Sequence, residues 1–239
     1  NGSRTDYGGG IYIRNSSSIL SNITILDNIS NYFGGGIFFS QANPSLDNIL
    51  ISNNISYSHG GGVYFSNSDP ILSQVIIRGN TADSGGGIYL MNESNPLLNN
   101  VIIENNQSYI GGGIYFEDSH GMLSYVTIIS NRAIITTFGY YGWGGGIYLD
   151  NDSSPILKHV YISENDAEYG GGMFLAGDSQ PTMINLIISG NTAYTGGGIC
   201  LSESNTSLTN MIISGNMADF GGGMFISLSN TTLTKTTIS

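Results

Sequence analysis

Glu117 and Asp150 are the pair best placed to do chemistry in this sequence. Each stands six residues after the first glycine of a Gly-Gly-Gly triad, at Gly111 and Gly144, in consecutive repeats. Stacked on adjacent coils, they would lie about 5 Å apart. Glycosidases that retain configuration separate their nucleophile and their acid/base by about that distance. With Asp118 and Asp152 close by, the same cluster also suits calcium, a hard cation that takes oxygen ligands. A third reading needs no ligand: Glu93, Asp178 and Glu203 fall in the same polar loop, so the acids can be solvated loop charge. The basic residues Arg4, Arg14, Arg78, Arg132, Lys158 and Lys235 form no column that could serve a lyase site. His59, His120 and His159 occupy different columns and make no metal set, and Cys200 has no activating neighbour. No cofactor or metal is expected. Glu117 and Asp150 remain the residues of a secondary, enzymatic reading.

Binding chemistry has two candidate sets. The first is an expanded turn at about residues 132–143, which carries Phe138, Tyr140, Tyr141 and the only tryptophan, Trp143. Aromatic rings on a loop suit a sugar face or a protein partner, although the loop could instead fold down over the rod. The second set is a stripe of aromatics at Tyr12, Phe38, Tyr64, Tyr89, Tyr115, Tyr148, Phe174 and Phe225, with Cys200 taking the remaining place. Either these rings present an outer interaction face or they stack on one another within the sheet. A further outward apolar column runs Thr24, Leu50, Ile76, Ile102, Thr127, Tyr161, Ile187, Ile212 and Thr237.

All these residues are placed by one repeat. The triad recurs nine times, beginning at Gly8, Gly34, Gly60, Gly85, Gly111, Gly144, Gly170, Gly196 and Gly221. The spacings are 25 or 26 residues except for a single 33 across the expanded turn. Such regularity means one unit stacked on copies of itself. Each unit holds three short runs of alternating apolar residues, which predict three short strands. Five inward columns are apolar at every position but Thr236; one of them is an unbroken isoleucine column at 25, 51, 77, 103, 128, 162, 188, 213 and 238. Pro44, Pro70, Pro96, Pro155 and Pro181 all stand at the start of the second run, where a missing N–H breaks no ladder bond. A column at Asn28, Asn54, Asn80, Asn106, Asn131, Asn165, Asn191 and Asn216 follows the third run and suits turns or stacked amides. A looser column from Asn22 to Asn210 marks the bend between the second and third runs. Parallel pairing with right-handed crossovers then gives an all-β, right-handed parallel β-helix of nine coils, about 26 residues each and roughly 43 Å long. Residues 1–239 are expected to form one such domain, as part of a longer chain or of a polymer.

Segments such as SSPILKHVYISENDAEYGGGMFLAGDSQPTMINLIISGNTAYTGGGI resemble the β-helix repeats of bacterial and archaeal surface proteins, adhesin-like proteins included. The rhythm of Asn followed by Gly-Gly-Ile is also similar, more distantly, to the repeats of chlamydial polymorphic outer-membrane proteins. Isoleucine stands where those repeats have phenylalanine, and a third glycine where they have alanine. The resemblance implies an extracellular or cell-surface protein acting as a scaffold or adhesin. Pectin-cleaving enzymes share the architecture, so a polysaccharide lyase, hydrolase or glycan-binding module is the alternative.

Composition narrows the partners. Seventeen acidic against six basic residues give a net charge of -11, which disfavours nucleic acid and anionic membrane. No apolar run is long enough to span a bilayer as a helix. One cysteine allows no internal disulfide. Asn-x-Ser/Thr tripeptides in the polar loop at Asn15, Asn92, Asn151, Asn205 and Asn230 are candidate glycan acceptors, while those at Asn22, Asn28, Asn54 and Asn106 are expected to be less reachable in tight turns. Neither end of the sequence reads as a capping repeat. The expected partners are therefore copies of the chain or neighbouring solenoid coils, packed laterally and end to end into filaments, together with cell-surface glycans.

Overall fold

The computed structural model describes residues 4–135 and 142–239. Within them the chain winds as a parallel β-solenoid of about nine turns, and every strand pairing is parallel. The first runs, from Ile11–Arg14 to Met224–Ser227, pair in register in chain order as one nine-stranded sheet. The second and third runs form the other large sheet. In the first three coils they are continuous eight-residue strands, Ile19–Leu26, Ser45–Ser52 and Ile71–Arg78; from Leu97–Asn99 and Ile102–Glu104 onward they are separate.

The expected bend between these runs is made by one residue per coil in the left-handed region, for instance Asn22 at φ 55°, Gln74 at 54° and His159 at 53°. Asparagine accepts that conformation at little cost, which explains its prevalence in the column. The asparagines of the other column do not adopt it. There the left-handed residue is the one before, such as Asp27, Asn53 or Asn105. A fourth ladder, which the alternation pattern did not predict, lies between the asparagine column and the triad. It comprises Arg4–Tyr7, Ile29–Phe33, Ile55–Ser56, Gln107–Ser108, Arg132–Ala133 and bridges such as Ile110 to Trp143 to Tyr169.

From the second coil to the eighth the five inward columns fill one continuous core, with Phe39, Leu46, Ile51, Phe65, Ile77 and Phe116 fully enclosed, while Ile226, Leu233 and Ile238 of the last coil are exposed. At about 25 cal/mol per Å² of apolar surface removed from water, this core is the dominant stabilising term. Where the chain closes each turn, the backbones approach too closely for side chains. A methyl group on Gly35 would lie 2.4 Å from the Gly61 carbonyl oxygen and 2.6 Å from the Ile55 carbonyl carbon. Gly34 ahead of it sits at φ 66°, so each position needs glycine for a different reason.

The asparagine column is a buried amide ladder. Asn54 donates from its backbone N–H and its Nδ2 to Oδ1 of Asn80, at 2.9 and 3.0 Å, and from Nδ2 to the Ile25 carbonyl at 3.1 Å. Asn80 repeats the pattern toward Asn106, and Asn106 toward Asn131. Each carboxamide thus meets both its donors and its acceptor in a position closed to water, the condition under which a buried polar group does not destabilise. A second polar ladder, of serines, was not anticipated. Ser68 donates its N–H to Oγ of Ser94 at 3.2 Å, Ser94 to Ser119 and Ser119 to Ser153, all of them buried.

Candidate functional site

Glu117 and Asp150 end the strands Ile114–Glu117 and Ile147–Asp150, and these strands pair with Glu117 directly opposite Asp150. The sequence-derived stacking is therefore realised. Two residues earlier on the same outward face stand Tyr115 and Tyr148, and this alternation brings phenols to the carboxylates. Tyr89 donates its hydroxyl to Glu117 from the preceding coil, and the Asp150 carboxylate acts on the Tyr148 phenol, holding it protonated. Asn151 donates from Nδ2 to Glu117 Oε1 at 3.4 Å and from its backbone N–H to Asp150 Oδ1 at 2.9 Å. Burial, reinforced by the neighbouring carboxylates, pushes the phenols of Tyr89, Tyr115 and Tyr148 well above their usual range; Tyr64 shifts the same way. They stay protonated as donors. These contacts escaped the sequence reading, although the Tyr-x-Glu and Tyr-x-Asp spacings carried the signal.

Beside the pair, Glu117, Asp118, Asn151, Asp152 and Asp178 line a groove of about 570 Å³, with Met91 and Asn92 at one end. The groove is acidic and open to solvent; Asp118, Asp152 and Asp178 are exposed. Among the described residues no group of three or more His, Cys, Asp and Glu is arranged to hold a metal ion. His59 lies between the rings of Phe33 and Tyr89, at centroid distances of 5.4 and 4.6 Å. His120 accepts the Ser154 N–H at 3.1 Å, and His159 stacks on Tyr125. Cys200 is buried, and burial pushes its thiol up to about 12, away from the range of a reactive thiolate.

The aromatic stripe is not an outer face. Phe38, Tyr64, Tyr89, Tyr115, Tyr148, Phe174 and Cys200 form a second buried cluster. Rings stack from Phe38 to Tyr89, with centroids 5.2 Å apart for Phe38 and Tyr64 and 5.4 Å for Tyr64 and Tyr89, and meet at edge-on or tilted angles from Tyr89 to Phe174. The roof is the residue just before the triad in five of the coils: Phe33, His59, Ile110, Trp143 and Tyr169 pack over it, while Ser84 and Thr195 hold that place in two others. Only Tyr12 is well exposed, and Phe225 is half-buried. Stacking under a lid removes the apolar area that an interaction face would need.

Trp143 belongs to that roof. It bridges Ile110 and Tyr169 in the fourth ladder and packs on Tyr148 and Phe174, with ring centroids 5.8 Å away in each case. It is thus a regular member of its column. Phe138, Tyr140 and Tyr141, expected to bind alongside it, lie outside the described residues.

The tripeptide asparagines Asn15, Asn92, Asn151, Asn205 and Asn230 are all exposed. Asn28, Asn54 and Asn106 are buried in the amide ladder, as expected of less reachable sites. Asn22 departs from that expectation: it is exposed and accepts Nδ2 of Asn48.

A parallel solenoid with stacked glycine turns and a buried asparagine ladder defines the β-helix class. The chain belongs to the family described as right-handed beta helix region, which matches residues 3–144 and 130–239. No curated protein and no solved structure matches it.

Proposed function

We propose that this chain is an extracellular structural or adhesive surface protein that acts as a scaffold through its outer faces. The observation that supports this reading most is the use made of the columns that recur from coil to coil. The amide ladder, the serine ladder, the aromatic roof and the triads all repeat along the rod, and among the described residues none of them converges on an enclosed cavity. Its partners on this reading are copies of itself or neighbouring solenoid coils, with cell-surface glycans bound in the adhesive case.

A second reading has its own observation. Glu117 opposite Asp150, beside a groove of about 570 Å³, is the geometry from which a carbohydrate-active site could be built. Open access favours sugar binding, and no basic residue stands among the described residues that line the groove, which speaks against a lyase. The two readings separate in one assay: the protein is incubated with a panel of neutral and acidic polysaccharides and new reducing ends are counted. The scaffold reading expects none. Cleavage abolished by Glu117→Gln and by Asp150→Asn would replace it with the enzymatic one.

A further inference from the structure

We propose that a second copy of this chain docks, side by side, on the outer face of the sheet made by the second and third runs. The proposal deepens the scaffold reading and rests on it, naming the face and the partner. The chain treats its two large sheets differently. Over the nine-stranded sheet it folds its own roof of turn residues. The other sheet keeps apolar side chains in water: Ile71 is 49% exposed, Leu97 47%, Ile102 38%, Tyr161 39%, Ile187 41% and Ile212 46%. Ile71 pairs with Leu97, while Tyr161, Ile187 and Ile212 follow one another rung by rung, so these residues line up along the rod. All-parallel sheets are ordinarily covered on both faces.

Three features select a second copy as the cover. The first is charge. The strands of this sheet hold two acids, Asp47 and Glu104, and two bases, Arg78 and Lys158, for a formal sum of zero. The chain as a whole carries -11. Two copies meeting elsewhere would press acidic surfaces together, whereas here they meet without net repulsion. The second is pitch. Side chains stand on rungs about 4.8 Å apart, and a neighbouring solenoid has the same repeat, so ridges and gaps stay matched along the whole length. The third is size. A face about 40 Å by 20 Å offers on the order of 800 Å², the amount each partner contributes to a stable interface of ordinary size.

The test is the mass of the full chain in solution by sedimentation equilibrium, for the wild type, Ile102→Lys, Ile187→Lys and a loop control, Asn205→Lys. The wild type should self-associate, more tightly as salt screens the net charge. Each isoleucine variant should weaken the dissociation constant at least tenfold, and the control should not. A wild type that stays monomeric at every concentration and salt, or isoleucine variants that associate like the wild type, would overturn the proposal. Should either lysine variant lose its far-UV signal, Thr127→Cys decides instead. It lies between Ile102 and Tyr161 in the ladder and should give a covalent dimer with a short bismaleimide, whereas Asn205→Cys should not. Equal yields would also refute the face. Cleavage of a polysaccharide that is lost in Glu117→Gln would sink the scaffold reading whatever the mass; a monomer without cleavage sinks only the docking face.

Discussion

Oδ1 of Asn106 accepts two hydrogen bonds from Asn80, from its backbone N–H at 3.0 Å and from its Nδ2 at 2.9 Å. The Nδ2 of Asn106 in turn donates to the Ile77 carbonyl and to Asn131, both at 2.9 Å. Asn106→Ala would orphan groups on both neighbours with no water to replace the lost partner. At about 1–3 kcal/mol per stranded buried group, the loss of unfolding free energy should be about 3 kcal/mol. Urea denaturation measures it against Asn99→Ala, which is exposed and should change stability by less than about 0.5 kcal/mol.

The closing glycines should be as intolerant. A methyl group on Gly112 would sit 2.5 Å from the Gly145 oxygen and 2.6 Å from the Arg132 carbonyl carbon, both backbone atoms. Gly112→Ala should therefore cost at least about 3 kcal/mol, read as a lower urea midpoint. Gly215→Ala meets no atom within 4 Å and should show only the strain of its left-handed conformation, on the order of 1 kcal/mol.

These two effects mark what was legible in the sequence. Inward columns such as Ile25 to Ile213 could be read because a buried parallel strand allows only apolar residues at alternate positions. The asparagine column could be read because the ladder needs an amide in every coil. Glu117 opposite Asp150 followed from counting along the repeat. The roof over Tyr64, Tyr89 and Tyr148 could not be read in the same way. Phe33, His59, Ile110, Trp143 and Tyr169 do one job with five different side chains, so they leave no compositional column, and a covered aromatic stripe has the same period as an exposed one. Lacking the roof, the sequence could not distinguish an interaction face from a second core.

The roof also carries a pH dependence. Burial between Phe33 and Tyr89 holds His59 below its usual pKa of 6.5, against the smaller opposing pull of Ser58, Glu117 and Asp83. The folded state thus favours the neutral ring. Its contribution is fully present above about pH 6.5 and is lost as pH falls from there toward the lowered folded value, because the unfolded chain binds the proton first. His59→Phe keeps a ring in the stack and removes the titration. The difference in urea midpoint between variant and wild type should grow from pH 7.5 to pH 5; a constant difference would contradict the assignment.

Removing residues 134–140 should leave the rod intact. Ala133 donates to the Asp166 carbonyl at 2.8 Å on one side of the expanded turn, and Trp143 holds its rung between Ile110 and Tyr169 on the other. The shortened turn then has the ordinary period. Its melting temperature should stay within a few degrees of the wild type, the range of about 1 kcal/mol or less. Trp143→Ala uncovers Tyr148 and Phe174 and should cost about 2–3 kcal/mol.

The central claim, that the chain works as a surface scaffold through its faces, is tested most directly by imaging native material in place. Gold-labelled antibody against the folded rod, viewed on cells of the source by electron cryotomography, should mark the cell surface with rods laid side by side in filaments or a sheath. Label found only on free single molecules in the medium or inside the cell would contradict it.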